Sequence, residues 1–231
     1  MFTLAHLDTP LPEALKGQLL QMVVDYLGDI SAVSLTPSNL LYPLYQYVVG
    51  LEVHRYLDSM DGAQPGKPEL IMALDAEDPA SLLGFALYLP YVDDPEACAL
   101  VYLAVTAEQR RQGIGRAMVE RMLSRYPHAE VACVAGKAGY FEAQGFMPLA
   151  ARGPQVLMNT RSQASDGAAA VQDLQPIFQS REVRQIYSYL VKQHGQSAMK
   201  AAEKHRDLLL DELARQADQL IGLRTSAKRL H

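Results

Sequence analysis

A chain of 231 residues, 49% of them hydrophobic, can bury one sizeable core and still leave a segment over, so one domain with an appendage is expected. The formal net charge of −5 argues against a general nucleic-acid binder, whose phosphate contacts require clustered Lys and Arg, although a local basic patch stays open. Two cysteines, Cys98 and Cys133, give neither a disulfide framework nor metal-ligand spacing; the first six residues lack a signal peptide's basic and apolar regions, and no apolar run approaches the roughly 20 residues of a membrane helix. A reducing cytoplasm is the expected compartment, and no metal site is expected.

After a first strand at the N-terminus, residues 12–28 place Leu15, Leu19, Met22, Val23, Tyr26 and Leu27 on one face of a 3.6-residue period, behind Pro10 and Pro12 as start signals. This predicts an amphipathic helix. A second is predicted over about 43–58, with Leu44, Tyr47, Val48, Leu51, Tyr56 and Leu57 as core positions, and the Gly- and Pro-rich loop 61–68 ends it. Apolar stretches at 70–74, 82–89 and 99–105, separated by acidic or proline-containing turns, read as consecutive antiparallel strands. A helix follows to about Arg125, then a strand over 129–134, a short helix, and strands near 146–149 and 155–158.

The junction between the third of those strands and the next helix reads Arg110-Arg111-Gln112-Gly113-Ile114-Gly115-Arg116-Ala117. Two glycines let the chain turn tightly with its N–H groups converging, and the positive end of the helix dipole faces the same point. This is an anion cradle, suited to a pyrophosphate. Gly115 lies where a good helix former is expected and costs roughly 1 kcal/mol against alanine, so something must require it. Neither the P-loop ending in Gly-Lys-Ser/Thr nor the Gly-x-Gly-x-x-Gly of a dinucleotide fold is present.

The pattern Arg-x-x-Gly-x-Gly at Arg110, Gly113 and Gly115, entered from Leu103-Ala104-Val105, resembles the acyl-CoA signature of the Gcn5-related N-acetyltransferase (GNAT) family. Downstream, residues 137–146 (Lys137 to Gly145-Phe146) resemble the short helix and Gly-Phe turn that flank the cofactor thiol in that family. The resemblance covers residues 1–160 and implies an α/β (α+β) fold: a mixed, mostly antiparallel central sheet flanked by helices. Acetyl-CoA or CoA is then the cosubstrate, held by Leu103, Ala104, Val105, Arg110, Arg111, Gln112, Gly113, Ile114, Gly115, Arg116 and Phe141. The strands ending at Val105 and Val134 would splay, and Leu103 and Val105 would offer backbone hydrogen bonds to the pantetheine.

The implied activity is an N-acetyltransferase moving an acetyl group to an amine by direct transfer in a ternary complex. Family members often carry a tyrosine four residues before the Gly-Phe glycine, where it protonates the departing sulfur; here that position is Phe141, and the tyrosine is Tyr140. A one-residue shift rotates a side chain by about 100° on a helix, so Tyr140 is a candidate acid or, alternatively, a packing or cofactor-contacting residue. A glutamate common early in the preceding strand would fall near Ala99 or Leu100. Substitute bases are Glu52, His54, Asp93, Asp94 and Glu96, each with a solvated surface role as the plainer explanation, and Tyr102 as a residue that orients water. Cys133 reads as a buried small hydrophobe rather than a nucleophile. Lys137 replaces an asparagine of the family pattern. Acidic residues over 91–96 lean toward a cationic acceptor, a small-molecule or peptide amine.

Composition changes at Arg161. Residues 161–176 read as a linker with little to bury, and 177–231 as a helical extension with a break near Gly195: Val183, Ile186, Tyr187, Leu190 and Val191 form one stripe, and Met199, Ala202, Leu209, Leu213, Ala217, Leu220 and Ile221 another. The resemblance does not reach this tail. Residues 181–231 hold ten Lys+Arg against six Asp+Glu, about +4, while residues 1–180 carry about −9. Packing on its own domain or a homodimer is the favoured fate of these helices, and Lys192, Lys200, Lys204, Arg206, Arg215, Arg224, Lys228 and Arg229 keep a nucleic-acid contact open. The alternative to an enzyme is a catalytically weak or inactive CoA-binding module, a sensor or assembly subunit acting through this tail.

Overall fold

The structure, a computed structural model, describes residues 1–62, 65–161, 163–165 and 167–228, without the side chains of 225–228. Expectations placed on Ala63, Gln64, Ser162, Asp166 and Arg229, and on the Lys228 charge, lie outside the described residues.

Seven strands, β1 (Phe2–Leu7), β2 (Glu69–Asp75), β3 (Leu82–Pro90), β4 (Ala97–Val105), β5 (His128–Cys133), β6 (Met147–Arg152) and β7 (Gln155–Asn159), form one sheet in the order β1-β2-β3-β4-β5-β7-β6. Every pair is antiparallel except β4 with β5. The expected mixed, mostly antiparallel sheet is thus the one observed. Helices cover both faces, as the near-continuous apolar run of β3 requires. On one face α1 (Glu13–Asp25), the single turn α2 (Leu27–Ile30) and α3 (Tyr42–Asp58) enclose a core with Leu19, Val23, Val53 and Phe85; on the other α4 (Ile114–Leu123) and the short α5 (Ala138–Glu142) enclose Ile71, Met118, Met122 and Phe146.

The first predicted helix is interrupted at Tyr26, whose φ of −105° and ψ of 20° end α1. The periodicity over 12–28 places Tyr26 on the core face, and it does pack, partly buried, against the α1/α3 core; its hydroxyl also accepts the Ala107 N–H at 2.8 Å and its ring lies beneath Arg110, 4.7 Å from the guanidinium carbon. A tertiary contact across 81 residues overrides the local helix pattern.

Strand β4 carries a bulge. Leu87 opposes Tyr102 while Tyr88 opposes Leu100, leaving Val101 as the extra residue. Before it, Cys98 and Leu100 point into the α4 core; after it, Tyr102 and Ala104 point into the α1/α3 core. The β4–β5 ladder runs from Ala97↔His128 to Leu100↔Val131 and stops there, although β4 continues to Val105 and β5 to Cys133. The sheet opens at this point.

The segment 161–176 is not the free linker its composition suggests. Ala168 accepts the Val92 N–H at 3.1 Å, Ser165 N–H donates to Glu130 at 2.7 Å, Gln172 N–H donates to the Tyr56 hydroxyl at 2.8 Å, and Ala169 and Leu174 pack on the α1/α3 core. It is a strap, anchored by the fully buried Ile177 in α6 (Gln175–Phe178). Two helices follow. α7 (Arg181–His194) is capped by Ser180, whose hydroxyl accepts the Val183 N–H, and Gly195, with φ +85°, turns the chain into α8 (Gln196–Lys228). At about 50 Å, α8 spans the domain. Its Met199 and Ala202 bury in the α1/α3 core, and Ala217 buries in the other core beside β6, β7 and the turn at 135–137. Its apolar stripe is therefore used within the chain. No helix among the described residues is long and apolar enough to cross a membrane.

Candidate active site

The open edge of β4 sets the site. Thr106 N–H donates to Leu83 O at 2.9 Å, and the Ala104 carbonyl lies against Gly84, so residues 104 and 106 turn their backbone groups toward β3. Alternation along a strand then directs those of Leu103 and Val105 toward the splayed side, where β5 no longer pairs. The Val105 carbonyl is taken by Arg110 Nε at 3.1 Å.

Past β4 the chain makes a 3₁₀ turn (Ala107–Gln109) and the glycine loop. Arg111 and Gly113 both occupy the left-handed region, with φ +63° and +83°, before α4 starts at Ile114. Among the described residues, none of the backbone N–H groups of 111–116 has a hydrogen-bond acceptor within the protein. Six consecutive donors, three at the head of a helix, are an anion site whose partial charges add to those of Arg111 and Arg116. Gly115 has its own reason: a Cβ there would lie 2.7 Å from the Tyr140 hydroxyl.

This loop opens into a cavity of about 500 Å³. Every residue assigned to the cofactor from the sequence lines it except Gln112, whose side-chain amide turns back to the Glu108 carbonyl at 3.4 Å. Gln109, Asp29 and Ile30, which no sequence pattern singled out, line it as well. A smaller recess of about 60 Å³ continues it into the splay between β4 and β5, walled by Ser31, Val101, Cys133 and Gln155 among others.

Arg110 does not extend into the cavity as a free cation. Its guanidinium donates to Asp29 at 2.8 Å and stacks on Tyr26, tying the glycine loop to α2, which forms the opposite wall. Arg116 is 70% exposed and pairs with Glu120 at 2.7 Å. Lys137, in the turn before α5, lines both cavity and recess. Burial lowers its pKa, against the opposing pull of Asp29 and Cys133, with Arg110 adding to the depression. Burial also pushes the Cys133 thiol up to about 11, and that thiol rests on the Met158 sulfur at 3.7 Å. A thiol held protonated in this way is no nucleophile.

The catalytic candidates scatter. The Tyr140 hydroxyl lies over Gly115, and Tyr140 lines the cavity but not the recess. Phe141 is buried against Phe146, with ring centroids 5.6 Å apart. Glu52 is buried and accepts the Tyr102 hydroxyl at 2.5 Å; burial raises its pKa, opposed by that hydrogen bond. His54 pairs with Asp58. Asp94 and Glu96 sit just before β4, at the end of the strand away from the cavity, where they hold Ser165 and Arg161 of the strap. None of the five proposed bases, Asp93 included, lines either space. The acidic loop 91–96 is accordingly not an acceptor wall: its charge is legible in the sequence, its direction is not. Among the described residues no group of three or more His, Cys, Asp or Glu could hold a metal ion.

Residues 39–146 match the acetyltransferase (GNAT) family. The match includes β4, the glycine loop, α4, β5 and α5 and leaves the helical tail outside. Among solved structures, a protein from Pyrococcus horikoshii is 14% identical over 71% of this chain and 100% of its own, with a TM-score of 0.51. A Corynebacterium glutamicum structure described as a histone acetyltransferase and related acetyltransferase is 14% identical over 71% of this chain and 99% of its own, also at 0.51. At that identity the likeness is one of fold. No curated protein sequence matches the chain.

Proposed function

With an acetyltransferase domain of the GNAT family at residues 39–146, we propose that this protein is an acyl-CoA-dependent N-acyltransferase that moves an acetyl group from acetyl-CoA to an amine by direct transfer in a ternary complex. The observation that carries the reading is the run of six unaccepted N–H groups at 111–116, opening into a cavity that continues along the free edge of β4 to the splay. The residues fit CoA: the pyrophosphate takes the loop amides with Arg111 and Arg116, and the pantetheine follows Leu103 and Val105. Tyr140, with its hydroxyl over Gly115, is read as a contact to the cofactor.

Bound acetyl-CoA supplies the activated carbonyl. The chain's part is to hold that carbonyl at the splay, to shield it between Ile30, Leu103 and Phe141, and to admit an amine through the recess. Ser31 offers a hydroxyl there that is buried without a hydrogen-bond partner, and Gln155 a side-chain amide at the rim; these are the polar contacts proposed for the acceptor. Direct transfer is favoured over an acyl-enzyme because the one cysteine at the recess is held as a thiol. With no carboxylate base lining the recess, water carries the amine proton away. The acceptor is a small-molecule or peptide amine.

A CoA-binding module signalling through its tail is the second reading. Its support is that α8 lies against the turn at 135–137, and that Arg224 of α8 pairs with Glu142 of α5 at 2.5 Å, next to the cavity wall. Tyr189, Leu208 and Leu223, exposed on α7 and α8, are where a homodimer would form. Release of free CoA thiol from acetyl-CoA against a panel of amines, peptides and amino sugars separates the two. The enzyme gives acceptor-dependent release, whereas a binding module retains CoA and releases none.

A further inference from the structure

We propose that Lys137 is the proton donor to the departing CoA sulfur, an inference that rests on the acyltransferase reading above.

Four residues, Ile30, Leu103, Lys137 and Phe141, line both the 500 Å³ cavity and the 60 Å³ recess and so mark their junction. A chain that starts at the glycine loop and follows the β4 edge ends at this junction, and an amine entering the recess meets it there. The carbon–sulfur bond therefore breaks beside these four side chains. Three are hydrocarbon; Lys137 alone can release a proton. It stands four residues before Phe141, one turn away, so both side chains address the same point.

The environment of Lys137 suits the task. Its backbone N–H is spent on Val134 O at 2.9 Å, while its ammonium makes no hydrogen bond or ion pair among the described residues. The charged or titratable groups that face it are Asp29 from α2, Arg110 from the loop before α4 and Cys133 from β5. Asp29 is committed to Arg110, and Cys133 to Met158. The remaining hydroxyls lie elsewhere, Tyr140 at Gly115 and Ser31 within the recess alone. Burial makes the ammonium a readier acid than a solvated lysine, which favours proton transfer to a departing thiolate.

The step balances as follows. The neutral amine nitrogen forms a bond to the carbonyl carbon, and the C–S bond breaks with its electron pair going to sulfur. Lys137 Nζ gives one proton to that sulfur, yielding the CoA thiol and a neutral lysine. The new amide nitrogen loses one proton to water, and Lys137 regains one from water.

The test compares wild type, Lys137→Met and Lys137→Arg in CoA affinity by calorimetry, in thermal denaturation, and in kcat from about pH 6 to about pH 10 with the best acceptor. In wild type kcat falls at alkaline pH as Lys137 loses its proton. Lys137→Met is expected to lower kcat about 100-fold and to abolish the alkaline fall, with CoA affinity within about threefold. Lys137→Arg also abolishes the alkaline fall, because a guanidinium does not deprotonate. An unchanged kcat in Lys137→Met, an alkaline limb that survives in both variants, or a loss of CoA affinity matching the loss of rate overturns the inference and leaves the acyltransferase standing. Wild-type protein that binds CoA yet turns over no acceptor overturns the acyltransferase, and the role of Lys137 with it.

Discussion

The two ends of strand β4 contrast in how their polar groups are used. At the Ala97 end the strand pairs with β5, and the strap crosses over it. There Glu69 accepts from Tyr126 at 2.7 Å, Tyr88 at 3.0 Å and Arg125 at 3.2 Å and pairs with His6 at 2.8 Å, while Glu130 accepts from Tyr91 at 2.5 Å and Ser165 at 2.7 Å. Burial with the neighbouring Glu69 carboxylate pushes the Tyr126 hydroxyl up to about 12, so that hydroxyl stays a donor to Glu69 across the physiological range. At the Val105 end the ladder has stopped and, among the described residues, the loop amides of 111–116 have no acceptor within the protein, Ser31 Oγ is buried without a partner and the Lys137 ammonium makes no hydrogen bond or ion pair. The Ser31 hydroxyl is the buried one among these, and since buried polar groups are ordinarily satisfied, an unpartnered one beside free loop amides marks a binding site rather than a scaffold.

The largest effect is expected at the open end. Gly115→Glu places a Cβ within 2.7 Å of the Tyr140 hydroxyl and a negative charge among the loop amides, and should weaken CoA binding at least about 100-fold, about 2.7 kcal/mol, with little change in melting temperature. Calorimetry with CoA checks it; an unchanged affinity would falsify the cradle. At the closed end effects should fall on stability alone. Ile177→Ala, at the fully buried strap anchor, should cost about 2–4 kcal/mol in denaturant unfolding and leave CoA affinity alone.

Tyr102→Phe removes the only hydroxyl donated to the buried Glu52 carboxylate among the described residues, and should cost about 1–3 kcal/mol near neutral pH. Glu52→Gln should act in the opposite sense. Because burial raises the folded pKa of Glu52, its favourable contribution is present in the protonated form below the unfolded value and is lost as pH rises through the folded one. The stability of Glu52→Gln relative to wild type should therefore increase as pH rises from about 4 toward 7, as melting temperatures across that range would show. The smallest change belongs to Arg161→Ala, which breaks a pair with the largely exposed Glu96 and should alter stability by no more than about 1 kcal/mol. A larger loss would mean that the strap is held by charge rather than by Ile177, Leu174 and its backbone bonds.

The open end was the more legible in the sequence, for a physical reason. Gly113 is a requirement of local backbone geometry, with φ +83°, and the strands and helices around the loop follow periods of two and 3.6 that a short window displays. The order of strands and helices followed from those signals. What was not legible depends on contacts between distant segments: the break at Tyr26, which answers to Ala107; the docking of 161–176, which answers to Tyr56, Val92 and Glu130; and Asp29, whose partner is Arg110. The bulge at Val101 leaves the apolar run unbroken and so has no signature. Candidate bases chosen by residue type alone landed on α3 or at the closed end of β4, whereas Lys137, visible only as a departure from the family pattern, lies at the junction of the two cavities.

The most direct test of the acyltransferase reading is CoA thiol release from acetyl-CoA, measured on wild type and Gly115→Glu side by side over a panel of amines and peptides. Release that depends on an acceptor in wild type and disappears in the variant is the predicted result. CoA binding without release on any acceptor, or release that survives Gly115→Glu, would contradict the assignment of the open end of β4 as the active site.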